Sequence, residues 1–386
     1  MLRYRGATAA RVKLGGRARL RSIVLALLVA STASAAASSQ TPPTARAMPV
    51  GDSSCIAALD SLQAIFRHDY PGYREKVAGH ANQLAALDDS VRAVARTSDQ
   101  YQVCIPALQR WARFFRDPHV TGPWQSGPPT PQAVNSGKVQ TTGEHSADPD
   151  RPSMHPLDDS SAVLRLPSFD STYTAVIDSL IHANGSRLRS IPYLIIDVRG
   201  NRGGYTGSYA SVSPLLYTGP IHFYGTDVWA SPANIAHYRT MTKSDYLSVA
   251  DRRLIESFLS RATGHTNEFV ELGPDTTIRM DTVLRMPRRV AFLVDSACAS
   301  SCEDFLLEAR QSTKVTTMGT HSAGVGDYGE VRFVWLPGWR RVGLPTNRSR
   351  GPRIDNVGIA PAIVIPGSER DPVAFARRYL ASLPGK

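Results

Sequence analysis

Between Ser54 and Arg116 the apolar residues recur at helical spacing. Ile56, Leu59, Leu62, Ile65 and Phe66 make one stripe, Leu84, Leu87, Val91 and Val94 a second, and Ile105, Leu108, Trp111 and Phe115 a third. Pro71-Gly72 punctuates the first gap. Three helices of this size bury too little surface to stand alone, so the pattern predicts an N-terminal helical lobe over 54–121 on a larger body. Further along, the period changes. Buried apolar runs at Tyr193–Val198 and Arg289–Val294 read as strands, Ala162–Leu166 and Val315–Met318 read as further short strands, and Tyr173–His182 and Ser301–Arg310 read as helices. Strands alternating with helices predict an α/β core over 161–386, its helices packed on a largely parallel sheet.

Residues 122–160 break both periods. They contain Gly-Pro-Pro, Ser-Gly, Asp-Pro-Asp-Arg-Pro and His-Pro, which predicts a long loop or linker. Residues 1–35 hold seven basic residues and no acidic one, then the apolar run Ile23–Ala30 and the small residues Ala33-Ser34-Ala35. That order predicts a secretory signal peptide cleaved after Ala35, followed by a Ser-, Thr-, Pro- and Ala-rich tether over 36–53. The other reading of the same residues is an uncleaved N-terminal anchor. The chain carries +11, and loss of seven basic residues leaves +4. The basic excess is mostly address, and with no basic-aromatic stripe a nucleic-acid partner is not expected. No later stretch is long and apolar enough to span a bilayer, so no membrane association is expected once the leader is gone.

The mature protein is therefore expected outside the cytoplasm, periplasmic or extracellular. Four cysteines suit an oxidising compartment. Cys55 and Cys104 flank the helical region, Cys298 and Cys302 lie four apart, and three pairings remain open. There is no CxxC, no HExxH, no phosphate-binding glycine motif and no metal-spaced histidine set. Neither a metal nor another cofactor is expected.

The chemistry concentrates in four segments. In Arg289–Arg310 a buried strand ends at Asp295, small residues turn the chain, and a helix opens at Ser300-Ser301-Cys302-Glu303. A hydroxyl at such a turn sits beside free backbone N–H groups and the positive end of the helix dipole, which suits a nucleophile and its oxyanion. Taken alone, the segment reads first as an ordinary N-cap at Ser300 with Glu303 as capping-box partner. A thiol nucleophile at Cys298 or Cys302 is the weaker option, because export favours oxidation of both. In Tyr193–Tyr205 an apolar strand runs into Gly200-Asn201-Arg202-Gly203-Gly204, where the N–H of Gly203 or Gly204 could form half of an oxyanion hole. In Asp117-Pro118-His119 the proline stops the preceding helix and leaves His119 in extended chain; a lone histidine reads first as surface or structural. In Arg353–Pro361, Asp355 either orients an imidazole or begins a turn with Asn356.

In this order and spacing the four segments resemble the C-terminal-processing, or tail-specific, serine peptidases over roughly residues 54–366. Asp197–Gly204 reproduces the family's Asp-x-Arg-Gly-Asn-x-Gly-Gly, Ser300 stands three residues before a helix-opening Glu, and Asp117–His119 fits its Asp-x-His. Asp355–Ala362 fits the closing signature with Asp355 for Glu and Ala362 for Asp. The resemblance implies the ββα-superhelix core shared with Clp protease and crotonase-like proteins, and cleavage of a peptide or protein substrate through an acyl-enzyme. One branch of the family uses a lysine base, but Val325 stands at that place here. The likeness is therefore to the tricorn-core and retinoid-binding branch, which implies Ser300 as nucleophile, His119 as base and Asp355 as its orienting carboxylate. The oxyanion donors would be the amides of Gly203, Gly204 and Ser301, with His321 as rival base. About forty residues between His119 and Ala162, rich in proline and polar side chains, leave no room for the family's peptide-binding PDZ module. The rival function is a catalytically impaired protein on the same fold that holds a peptide or an apolar ligand.

Overall fold

A computed structural model describes residues 53–125 and 148–384. The leader, and all of the tether but its last residue, lie outside the described residues. Helices α1 (Cys55–Asp69), α2 (Tyr73–Val77), α3 (Ala81–Ala95) and α4 (Tyr101–Ala112) come first. Ser54 starts α1 by accepting from the Ala57 N–H. The stripes face inward as expected: Leu59, Leu62 and Phe66, Leu84 and Val91, and Leu108 and Trp111 are buried. The Cys55–Cys104 disulfide ties α1 to α4. The lobe does not close on itself, however. Tyr328, Leu336, Val342 and Leu344, from far along the chain, complete its core, which is how so short a helical region obtains enough buried surface.

Next come β1 (Thr121–Gln125), β2 (Ser153–Asp158), β3 (Ser161–Arg165), α5 (Thr174–Ala183), α6 (Gly185–Leu188) and β4 (Tyr193–Asp197). The middle of the chain forms α7 (Ser213–Leu216), β5 (Ile221–Phe223), β6 (Thr226–Trp229), α8 (Pro232–Met241), α9 (Val249–Arg261), β7 (Phe269–Gly273) and β8 (Thr276–Ile278). The last part holds β9 (Arg289–Val294), α10 (Ser301–Ala309), β10 (Val315–Gly319), β11 (Tyr328–Leu336), β12 (Arg340–Ser349), β13 (Ile363–Val364) and α11 (Pro372–Ser382). The stretch 122–160, expected as one loop, carries β1 at one end and β2 at the other, because both find strand partners elsewhere in the chain. Residues 126–147 between them lie outside the described residues.

The mixed α/β body is built on a six-stranded sheet of order β13-β10-β9-β4-β3-β2. Its strands run parallel except at the β2 edge. The four strands read from the sequence are β3, β4, β9 and β10. Alternate residues of β4 and β9 serve two cores. Leu194, Ile196, Val290 and Phe292 pack with Phe305 and Leu306 of α10, whereas Ile195, Ala291 and Leu293 pack with Ala376 and Leu380 of α11. Burial on both faces is why these strands read as unbroken apolar runs. A second sheet, antiparallel throughout, has the order β1-β12-β6-β7 with β11 also on β12. The helical lobe packs against β11 and β12 of this second sheet. No described helix is long and apolar enough to cross a membrane.

Candidate active site

Ser300 stands at the turn from β9 into α10 with φ 58° and ψ −122°. A side chain rarely tolerates that region, and a strained serine at a strand-to-helix turn is the arrangement that exposes a nucleophilic Oγ. Several bonds hold the strain. The Ser300 N–H donates to the Val325 carbonyl (3.1 Å), the Ala299 N–H donates to the Asn201 carbonyl (3.1 Å), and a Cys298–Cys302 disulfide encloses the serine. Both thiols are consumed, so neither is a nucleophile here.

Glu303 is the hub of this turn. Its Oε2 accepts from the amides of Ser300 (3.2 Å) and Val325 (2.7 Å), and its Oε1 from Ser322 Oγ (2.5 Å) and the Gly324 amide (2.8 Å). Burial pushes its pKa up, and these hydrogen bonds pull it back. The capping role read from the sequence and a nucleophilic role for Ser300 are therefore compatible: the glutamate caps the helix and binds the neighbouring loop to it.

His119 reaches the serine from the helical lobe. After α4 a short 3₁₀ turn ends at Arg116 in the left-handed region (φ 46°), which redirects the chain. Asp117, buried, then accepts from the His119 N–H (2.8 Å) and the Tyr70 O–H (2.8 Å). His119 Nε2 lies 3.1 Å from Ser300 Oγ. The histidine residue is only half-buried, but its Nδ1 edge is buried. Burial is the largest influence on the imidazole and takes its pKa down to about 4, while Glu330 and the Tyr328 carbonyl favour the charged form. A neutral imidazole is the form that can accept a proton. Burial raises Asp117 to about 7, helped by the charge of Asp355 and opposed by the bonds from Tyr70 and His119.

The other expected site residues divide. Asp355 Oδ1 accepts from the amides of Gly326 (2.9 Å) and Asp327 (2.9 Å). Its Oδ2 and His119 Nδ1 are both buried, and among the described residues no hydrogen bond joins them, so the expected orienting contact is not made in this arrangement. The short aspartate arm is held by the 326–327 turn. The Gly203 N–H donates to Asn201 Oδ1 (2.7 Å), which removes it from the oxyanion donors, whereas the Gly204 and Ser301 amides have no acceptor among the described residues. Gly203 matters instead as a contact: at φ 93°, a Cβ there would lie 2.6 Å from the Ala299 carbonyl oxygen and 3.0 Å from Ser300 Cβ. His321 is exposed and does not line the cavity in front of Ser300.

That cavity, of about 930 Å³, is shared by His119, Ser300 and Gly204, with Tyr205, Met241 and Tyr246 among its walls. It is of the size that takes a small ligand or a few residues of peptide. Among the described residues no cluster of His, Cys, Asp and Glu is placed to hold a metal ion.

The sequence profile of peptidase family S41 matches residues 160–365, just over half of the chain. The chain belongs to peptidase family S41. The matched segment contains the glycine loop, Ser300 and Asp355, but it begins after His119. No curated protein matches the chain. Among solved structures, mature CPAF complexed with lactacystin is similar at 14% identity, with 85% of this chain and 97% of that one covered and a TM-score of 0.54. A peptidase candidate from Parabacteroides merdae ATCC 43184 is similar at 16% identity, with 86% and 98% covered and a TM-score of 0.53. At such identities the likeness speaks for the fold alone. Within this S41 family member, sequence reasoning assigned no role to two groups, Asp117 beside His119 and Glu330 in the cavity lining. Asp117 was legible only as part of a motif, and Glu330 carried no local signal at all.

Proposed function

We propose that this S41 family member is an exported serine-type peptidase that cleaves peptide or protein substrates through an acyl-enzyme. The observation that carries the reading is the 3.1 Å approach of His119 Nε2 to Ser300 Oγ at a strained turn. In this mechanism His119 accepts the Ser300 proton as Oγ attacks the scissile carbonyl, and the developing oxyanion turns to the amides of Gly204 and Ser301. The imidazolium then protonates the leaving amine. A water deprotonated by His119 releases the acyl group and restores the serine. Asp117 positions His119 through its backbone. Asp355 is the third member of the set: its buried Oδ2 and the buried His119 Nδ1 are acceptor and donor, and they meet when substrate orders the site.

The Ser-His assignment is supported by Val325, which has no proton to exchange where the other branch has lysine. Export is supported by the leader pattern and by two disulfides. The ββα-superhelix description of the core, the absence of a PDZ module and the tail-specific subtype belong to the same reading.

The test is labelling of the mature chain with a fluorophosphonate probe, mapped by mass spectrometry. Labelling at Ser300 that disappears in Ser300→Ala and falls sharply in His119→Ala is expected. Dependence on His321 instead would overturn the base assignment. The unjoined Asp355 favours one alternative, a catalytically impaired protein that holds a peptide or apolar ligand. A folded wild type that resists the probe would support it.

A further inference from the structure

One face of the antiparallel sheet leads out of the cavity and carries aromatic side chains into solvent. In the β11–β12 pair Val331 stands opposite Pro345, Phe333 opposite Gly343 and Trp335 opposite Arg341. On the far side of β12, β1 places Thr121 opposite Gly343 and Trp124 opposite Arg341. Side chains two apart along a strand share a face, so these positions form one strip. Thr121 and Val331 line the cavity that holds His119 and Ser300. Phe333 and Trp335 lie outside its lining and are 55% and 36% exposed, and Trp124 is 39% exposed. Gly343 lets the two ends meet, because a Cβ there would run into Thr121 Oγ1 and lie 3.1 Å from Phe333 Cε1.

The helical lobe does not need these rings. It is seated on the opposite face of the same strands, by Leu336, Val342 and Leu344. An exposed cluster of large rings marks a binding surface. Arg341 sets the chemistry of that surface. Its guanidinium lies 4.6 Å over the Phe333 ring, with the rings of Trp124 and Trp335 at 5.8 and 5.9 Å. Among the described residues no carboxylate pairs with it, and its buried Nε has no hydrogen-bond partner. A guanidinium stacked on rings keeps its in-plane N–H groups for a carboxylate. β11 also ends the sheet: one edge pairs with β12, and no described strand pairs the other. Rings, an unpaired guanidinium and an open strand edge together suit an extended polypeptide. From Val331 to Trp335 the strip runs about 13 Å, the span of about four extended residues.

We propose that this strip is an exosite for the polypeptide substrate: it holds a stretch beyond the residues in the cavity, one that carries an aromatic side chain next to an acidic one. The inference rests on the peptidase reading above and adds where the rest of a long substrate lies. Continuity with the cavity wall, through Thr121 and Val331, assigns the strip to substrate and not to a second copy of the chain or a lipid surface.

The mature wild type first digests reduced, carboxymethylated α-lactalbumin, and mass spectrometry of the products defines a short cleaved core. Quenched fluorogenic peptides then carry that core alone, or with a few added residues at either end that contain Phe-Glu, Phe-Lys or Gly-Ser. A Phe-Glu extension at one end is expected to raise kcat/KM by about 10-fold or more over the core, and Gly-Ser to bring no gain. Phe333→Thr with Trp335→Thr is expected to return the extended peptide to the core rate, while the core itself stays within about 3-fold. Threonine suits an exposed strand position, and labelling at Ser300 reports that the variant is folded. Arg341→Glu is expected to reverse the charge preference, from Phe-Glu to Phe-Lys. Equal wild-type rates with and without every extension, or equal losses for core and extended peptides in the variants, would overturn the inference. So would a dimer, or binding to phosphatidylglycerol vesicles, that needs Phe333 and Trp335 while extension brings no gain. A protein that labels at Ser300 and cleaves without gain from extension loses this inference alone; one that cleaves no polypeptide loses the peptidase reading with it.

Discussion

The two disulfides join residues 49 and 4 apart in sequence, and they sit in regions held together by different means. Around Cys55–Cys104, Phe66, Trp111 and Phe115 already pack ring against ring, with centroids 4.7–5.2 Å apart. The bond there mainly restricts the unfolded chain, worth about 4 kcal/mol for a loop of that length. Around Cys298–Cys302 the closed loop is so short that the same account gives only about 2 kcal/mol. What this second bond restrains is the native backbone itself, at the one turn where Ser300 adopts an unfavourable φ. Global stability and local geometry have thus been assigned to different cross-links.

The largest expected effect breaks the chemistry and leaves both regions folded. Ser300→Ala or His119→Ala should lower kcat by about 10⁴-fold or more, with thermal melting little changed. Replacing the cysteine pairs comes next and sharpens the contrast. Cys298→Ala with Cys302→Ala should reduce kcat by roughly 10- to 100-fold, because a misplaced nucleophile loses its approach geometry. Cys55→Ala with Cys104→Ala should instead lower the unfolding free energy by about 4 kcal/mol and leave kcat within about 3-fold. Denaturant melts and steady-state kinetics on both double variants decide it, and equal kinetic losses would abolish the distinction.

Smaller effects concern protons. With the His119 pKa held at about 4, the acid limb of kcat/KM should fall near pH 4 and not in the ordinary histidine range. The unfolded chain binds that proton below about pH 6.5 and the folded one does not until about pH 4, so this contribution to stability is lost as pH falls between them. Asp117 works the other way. Its pKa is raised to about 7, so its contribution is complete below the unfolded value and is lost as pH rises through 7. Asp117→Asn should therefore be less destabilising at pH 8 than at pH 5, as urea melts at the two values would show.

The parallel sheet was legible chiefly because β4 and β9, at its centre, are buried on both faces, which leaves the unbroken apolar runs Leu194–Ile196 and Val290–Val294. The antiparallel sheet was not. In β12, Arg340, Thr346 and Asn347 are buried. Their partners are groups far away in sequence, such as the Ser53 and Asp99 carbonyls for the Arg340 guanidinium and Tyr238 for Asn347. Read locally, a strand with Gly343, Pro345 and charged ends looks like a turn. The Ser300 and His119 segments could be read as motifs because each is locally constrained, by a helix start and a helix stop. The contact between them spans 181 positions and rests on tertiary packing. Asp355 is held by the 326–327 amides, and that commitment was written in no pattern. Glu330 reads as an ordinary polar residue of an amphipathic strand, and only the positive φ sets it apart.

The dependence of the helical lobe on Tyr328, Leu336, Val342 and Leu344 also fixes an order of events during synthesis. Residues 53–125 leave the ribosome early, yet the surface that seats α1 and α4, and with them His119, exists only after residue 344 has been made. Pairing across such a separation is late by nature, since loop closure must precede its reward. A nascent or truncated chain therefore carries His119 and Ser300 without their alignment, and on the proposed reading a fragment ending at residue 327 should not react with the probe at Ser300. If Ser300 and His119 act together as proposed, their pairing arrives only once residues 328–344 have been made, so no shorter nascent chain holds an assembled site.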